Sequence, residues 1–527
     1  MPLQTVRERK KLAKNLEKGV KLCIFAAWKV NLIKGNGLDI VQLTLPIIMN
    51  GKTLISLFFS SILCVNLHAQ NVPNAANFLP SPPTYNSAKF KNDSAQYEWG
   101  KLQRSTALGE QAKSDMSWEL NAYLSTFSSV IGIDITVSKT PNIYELCNYG
   151  MVYARRAIEQ SQASRFSWRP FVRYNEESLI SNLDAQYRTT SSYPSAQATY
   201  GWLMGMLLAE VCPDKQDAIL KRAYAIGTSS VIAGYNWQSD TENGRDLASA
   251  VSANIHSHNG FLTLVRLAQK EMGNQKSVLP DPTKYLPDPP AEGSSQYAYD
   301  VAAHEDGKAL RQTERGKQAA SDANDEVEDM AELFSPLFGR TISPGNTPEL
   351  YKLMDSLFPL IDDINYDTKV YYGRLRPYVM FNENTGYPED EEKLRKSYSY
   401  PSGHSLLGWL VGLILSEVNP SRLETIMQRA YEFGQSRVIL GYHWQSDVIV
   451  GRVVAGSAFS YLHSDSNYLS QLESAIREFK GGSSGIQTIQ VSDKEENAPI
   501  YNLNGIRLNS KPTRRGVYIR GHKKYVY

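Results

Sequence analysis

The sequence predicts an all-α protein, two tandem helical-bundle domains followed by a short C-terminal β module. Three observations carry that reading. An internal repeat with a constant offset of 207 residues runs without a gap from about residue 79 to residue 248. Apolar residues recur at helical spacing inside each copy, between proline boundaries. Nothing between residues 90 and 475 sustains the period-two alternation of strands.

The repeat is visible as words. Leu79-Pro80-Ser81-Pro82-Pro83 returns as Leu286-Pro287-Asp288-Pro289-Pro290, and Arg169-Pro170 as Arg376-Pro377. Tyr193-Pro194-Ser195 returns as Tyr400-Pro401-Ser402, and Trp237-Gln238-Ser239-Asp240 as Trp444-Gln445-Ser446-Asp447. A period this long is far beyond solenoid repeats, so two self-sufficient domains are expected, at 78–275 and 285–480. Within each, the apolar runs 201–211 and 408–418 end at Pro213 and Pro420, which marks helix ends. The segments 216–232 and 423–439 show helical spacing as well.

Composition sets the class. The chain has 527 residues, 42% apolar and 21% charged, with a net charge of +2. That is ordinary for a globular protein, and the weak charge with no basic stripe gives nucleic-acid binding no support. Residues 49–69 read as a secretory signal peptide: Lys52, an apolar run from Leu54 to Val65, then Ala69. The run is too short to span a bilayer. Translation is expected to begin at Met49, with 1–48 a mis-called extension and the mature protein periplasmic or secreted. Cys147 and Cys212 are compatible with a disulfide or with two buried thiols. After the glycine- and serine-rich stretch at 481–485, residues 486–527 alternate around Asn504-Gly505 and Arg520-Gly521. That pattern predicts β hairpins, and it resembles the sorting or anchoring tails of some exported bacterial proteins.

Three clusters in the second copy carry chemistry: Lys369 with Arg376-Pro377, Pro401-Ser402-Gly403-His404, and Ser436-Arg437 with His443 and Asp447. Lys369, Arg376 and Arg437 supply three cations, and guanidinium forks match paired oxygens. Ser402 and Gly403 fall where a loop enters a helix, whose free N–H groups favour an anion. His443 and Asp447 are four apart, which places them as neighbours on one helical face. The carboxylate can hold the imidazole in one tautomer and leave its other nitrogen to attack phosphorus, while His404 serves as general acid. Two histidines and an aspartate could also hold a metal, but the cations would repel it, so no metal and no cofactor is expected.

These clusters match the signature of the phosphatidic-acid-phosphatase and vanadium-haloperoxidase superfamily. The words 399–404 and 434–447 resemble the class A bacterial acid phosphatases. So do Asp300, Gly307, Thr313-Glu314-Arg315-Gly316 and Asp322. The resemblance implies hydrolysis of small phosphomonoesters through a phosphohistidine at acid pH. It implies catalytic His443, His404 and Asp447, and phosphate binding by Lys369, Arg376, Ser402, Gly403 and Arg437. Phosphate or vanadate would fit the oxyanion site. A vanadate-dependent haloperoxidase and a lipid phosphatase use the same residues and stand as alternatives. No membrane span is expected in the mature chain.

The first copy departs at these positions. The offset places Gln162 for Lys369, Ala196 for Gly403, Gln197 for His404, Ser230 for Arg437 and Asn236 for His443. Only Arg169, Ser195 and Asp240 remain. The first copy is therefore expected to keep the fold without the chemistry, acting as a structural partner in cis, a pseudo-dimer, or as a binding module that turns the old cleft to a neutral polar ligand. A homo-oligomer is compatible with the family resemblance.

Overall fold

The computed structural model describes residues 71–481 throughout, together with the backbone of six short strands outside that span. The expected signal peptide at 49–69 and most of the 481–485 linker lie outside the described residues. Residues Met1–Asn71 form one unit and Val72–Tyr527 a second. In the first, strands Lys29–Gly35 and Leu38–Thr44 pair antiparallel. Toward the C-terminus, strands Arg507–Leu508, Ile500–Asn502, Val517–Arg520 and Lys523–Val526 pair antiparallel in that order.

Residues 71–481 contain helices and no strands. Elements recur at the repeat offset: Ala88–Gln103 with Ser295–Leu310, Ala196–Val211 with Gly403–Val418, and Gln216–Ala233 with Leu423–Leu440. Gln238–His256 and Gln445–Ser464 correspond in the same way, and Phe261–Glu271 and Ser466–Phe479 follow them. Side-chain bonds recur too. Tyr193 donates to the Pro80 carbonyl and Tyr400 to the Pro287 carbonyl, each at 2.7 Å. Asp115 pairs with Arg222, and Asp322 with Arg429.

The expectation of two self-sufficient domains is revised. One continuous apolar core runs through both copies. Ala196–Val211 is buried on every side, and Gly403–Val418 from Ser405 onward. A helix apolar all round needs cover on every face, and each copy supplies part of the other's. Trp202 of the first copy packs so closely against Gly456 of the second that a Cβ there would lie 3.0 Å from the indole nitrogen. Arg452 donates to Asp246 at 2.9 Å, both buried. At the centre of the contact the rings of His256 and His463 lie 4.3 Å apart. Each reaches a buried glutamate of its own copy, Glu210 or Glu417, at 3.0 Å.

Cys147 and Cys212 are free thiols, both buried. No helix among the described residues is long and apolar enough to cross a membrane.

Candidate active site

The site forms where three segments of the second copy meet. Lys369 stands on the last turn of the Leu357–Tyr372 helix, which Gly373 ends at positive φ. Arg376 caps the short Pro377–Met380 helix. Ser402 caps the long buried Gly403–Val418 helix, its Oγ accepting from the Ser405 amide at 3.3 Å. Gly403 lies close under Asn365: a Cβ would stand 2.9 Å from its Nδ2, so that amide would have to move aside for any side chain.

His443 lies in the turn before the Gln445–Ser464 helix, so it and Asp447 do not share a helical face. Gly441, at φ +87°, ends the preceding helix and makes that turn. The contact forms all the same. Asp447 folds back onto the turn, where its Oδ2 accepts from the Trp444 amide at 2.9 Å and faces His443 Nδ1 at 3.3 Å. On the other side of the ring, Arg376 Nη1 donates to His443 Nε2 at 3.0 Å. A guanidinium can only donate, so Nε2 carries the lone pair and Nδ1 the hydrogen.

Arg374 was not singled out from the sequence, yet it anchors the centre. It joins Asp447 at 2.6 Å and Asp300 at 2.7 Å, all three buried or nearly so. Burial works against its charge, but the two carboxylates outweigh burial and raise its pKa. The first copy has Ser167 there. Its Asp240 therefore lacks that cation, and burial lifts the carboxyl to about 6.

His404 meets two groups. Its Nε2 lies 3.0 Å from the Ala323 carbonyl, and its Nδ1 lies 3.2 Å from an Asp325 carboxylate oxygen. The carbonyl only accepts, so Nε2 carries a hydrogen, and the His404–Asp325 contact needs one more proton between its partners. Asp325 also went unmarked in the sequence; the first copy has Trp118 in its place. Comparing the two copies at every polar position, rather than only at the motif, would have flagged both Arg374 and Asp325.

The cations crowd one another. Arg437 is 1% exposed, and its Nε and Nη1 have no hydrogen-bond partner. Its guanidinium carbon lies 4.4 Å from the Tyr442 ring centre. Lys369 spends its donors on the carbonyls of Tyr398, Ser399 and Pro401, the last at 2.7 Å. Burial, then Arg376, pushes the Lys369 amine well below its usual range. Burial, then Arg376, does the same to His443, and burial, then Arg437, to His404. Three groups that lose charge when crowded regain it when an anion arrives.

A model of the PAP2 superfamily matches residues 358–470. The chain is 44% identical over 200 residues to a non-specific acid phosphatase of Providencia stuartii, which covers 38% of this chain and 81% of that protein. The chain belongs to the PAP2 superfamily. A non-specific acid phosphatase of Salmonella typhimurium is 46% identical over 179 residues, 34% of this chain and 72% of that protein. An acid phosphatase of Zymomonas mobilis is 31% identical over 235 residues, 44% of this chain and 86% of that one. The PAP2 match spans every site residue from Lys369 to Asp447. Asp300 and Asp325 lie before it and reach the site only through the fold.

Against the PAP2 site, the matching place in the first copy is depleted. Gln162 keeps one of the Lys369 contacts, to the Pro194 carbonyl at 3.3 Å. Asn236 donates to the Ser192 carbonyl at 2.7 Å, and Arg169 still reaches the Tyr235 carbonyl at 3.0 Å. Gln197 is buried with both polar atoms unpartnered. Of the metal-capable groupings, the described residues offer His304, Glu305 and Glu383. That cluster belongs to another part of the copy, and Lys308 already bonds both its carboxylates.

Proposed function

We propose that residues 285–480 are an acid phosphatase that hydrolyses phosphomonoesters through a phosphohistidine. The observation that carries this reading is Arg437, a buried cation with two N–H groups unpartnered, beside Arg376 and Lys369. Buried donors of this kind are costly unless an acceptor arrives, and an oxyanion is the acceptor that three cations favour. Phosphoryl transfer is mostly such positioning and charge stabilisation.

The chemistry then runs as a double displacement. A phosphoryl group takes the donors of Arg376 and Arg437, which frees the His443 Nε2 lone pair. Nε2 forms a bond to phosphorus as the bond to the alcohol oxygen breaks. The His404–Asp325 pair supplies the proton to that oxygen, and His404 is the partner nearer the cations. Asp447 stabilises the imidazolium through Nδ1–H. Water next attacks phosphorus, giving its proton back to His404, and the N–P bond breaks to release phosphate. Burial and Arg437 lower the pKa of His404, so its protonated form is populated only at a more acid pH than an ordinary histidine needs, in keeping with the acid phosphatases among the relatives.

We infer that residues 78–275 arose by duplication and have lost this route. Asn236 has no nitrogen able to form the intermediate, and Ser230 and Gln162 replace two cations. The first copy would then serve as a cis partner whose packing completes the core, with phosphate or vanadate bound only in the second. An exported, periplasmic location remains part of this proposal, on the sequence at 49–69. The deciding experiment is acid-quench trapping with a radiolabelled phosphomonoester. One labelled histidine per chain, absent in His443→Ala, is expected; label retained in that variant would overturn the mechanism.

A further inference from the structure

The helix that delivers Lys369 also builds a second feature. Asp362, Asp363, Asn365, Tyr366, Asp367 and Lys369 line a groove of about 530 Å³. Lys369 therefore belongs both to this groove and to the cation cluster. Asp362, Asp363 and Asp367 are exposed, and among the described residues none of them forms an ion pair. Asn365 is different. It is 7% exposed, lines the groove, and its Oδ1 has no hydrogen-bond partner. Its Nδ2 lies against Gly403, 2.9 Å from where a Cβ would stand. The groove thus meets the turn that opens the phosphoryl site.

The first copy acts as a control. At the matching positions it carries Arg155 and Arg156 for the first two aspartates, Ile158 for Asn365 and Gln160 for Asp367. The acids and the buried amide occur only beside the intact set of histidines and cations. A solvated helix face would have no reason to follow the chemistry in this way.

A phosphomonoester held by Arg376 and Arg437 must project its alcohol portion away from the cations. A leaving group that follows Lys369 out of the cation cluster would pass three carboxylates and the exposed ring of Tyr366, above the buried Asn365 amide. Carboxylates and an aromatic face attract a cation, most selectively a quaternary ammonium. We propose that the groove receives a cationic leaving group, so that this site prefers phosphomonoesters of quaternary or protonated amino alcohols. The proposal rests on the phosphatase reading above and names its substrate class.

The test compares phosphocholine with 3,3-dimethylbutyl phosphate, its uncharged carbon isostere, using the full chain. The quaternary charge does not titrate, but the second ionisation of each phosphate does, so the two substrates are compared across the pH profile rather than at one pH. The wild type is expected to show kcat/KM roughly tenfold higher for phosphocholine at low salt. The ratio should shrink toward one at high salt. Combined Asp362→Asn, Asp363→Asn and Asp367→Asn should also bring it toward one. Equal kcat/KM for the two substrates in the wild type overturns the proposal, as does a preference that survives both salt and the triple substitution. Should the triple variant fail to fold, the wild-type ratio and its salt dependence decide. Turnover of p-nitrophenyl phosphate by the wild type is read alongside. Its absence sinks the phosphatase reading itself, whereas its presence with no choline preference sinks only the groove.

Discussion

Arg376 Nη1 stands 3.0 Å from His443 Nε2, and Asp447 stands on the opposite side of the same ring. The arginine aims a donor at one nitrogen and the carboxylate an acceptor at the other. The imidazole is thereby held in the tautomer a nucleophile needs, before any substrate is present. An anion that draws the guanidinium onto its own oxygens would release the lone pair beside it.

Replacing His443 with alanine should reduce p-nitrophenyl phosphate hydrolysis by at least roughly a thousandfold. Steady-state assay with purified wild type and variant measures this. Asn236→His in the first copy should add no activity to the His443→Ala background, because Gln162, Gln197 and Ser230 remain.

Arg374→Ser, which installs the first copy's residue, should damage both catalysis and folding. It leaves Asp300 and Asp447 buried without their shared cation, a loss of roughly 3–5 kcal/mol for a broken buried pair. Urea denaturation reads the stability. A fall in kcat exceeding the fall in folded fraction would show that Asp447 also loses its hold on His443.

Asp325→Asn removes the carboxylate facing His404 Nδ1. The protonated form of His404 loses its partner, so its pKa falls further. The alkaline limb of the kcat/KM profile should then move to lower pH. An unmoved limb with unchanged kcat would exclude Asp325 from the proton path.

Sulfate stays a dianion across the working range, which makes it a clean probe of the site's own protons. Crowding by burial and cations lowers the pKa of His443, His404 and Lys369 in the empty site. A bound dianion raises all three, so binding takes up protons and must strengthen as pH falls. Competitive inhibition by sulfate should tighten from pH 7 toward pH 5. Calorimetry in two buffers of different ionisation enthalpy should show proton uptake.

EDTA should leave activity unchanged, since every group assigned to the oxyanion is a cation, a helix start or a histidine. Vanadate should inhibit. Bromide oxidation dependent on vanadate, without phosphatase activity, would move the chain to the haloperoxidase reading.

Much of this protein can be read without coordinates. Helical class follows from spacing along the chain, which is a local property. The repeat register follows from identical words at one offset. Lys369, Arg376, Ser402, Gly403, His404, Arg437, His443 and Asp447 follow from motif spacing, and the first copy's losses from the same offset. Tertiary structure decided what spacing does not encode. Arg374 reaches Asp300 across 74 residues, and His404 lies against Asp325 and Ala323 from a distant turn. His443 meets Asp447 through a turn rather than along a helix. The two copies share one core, with His256 against His463, where the repeat alone pointed to two separate domains. The physical reason is common to all four. Burial decides which charges need partners and which apolar faces need cover, and burial is a property of the packed chain, not of its order.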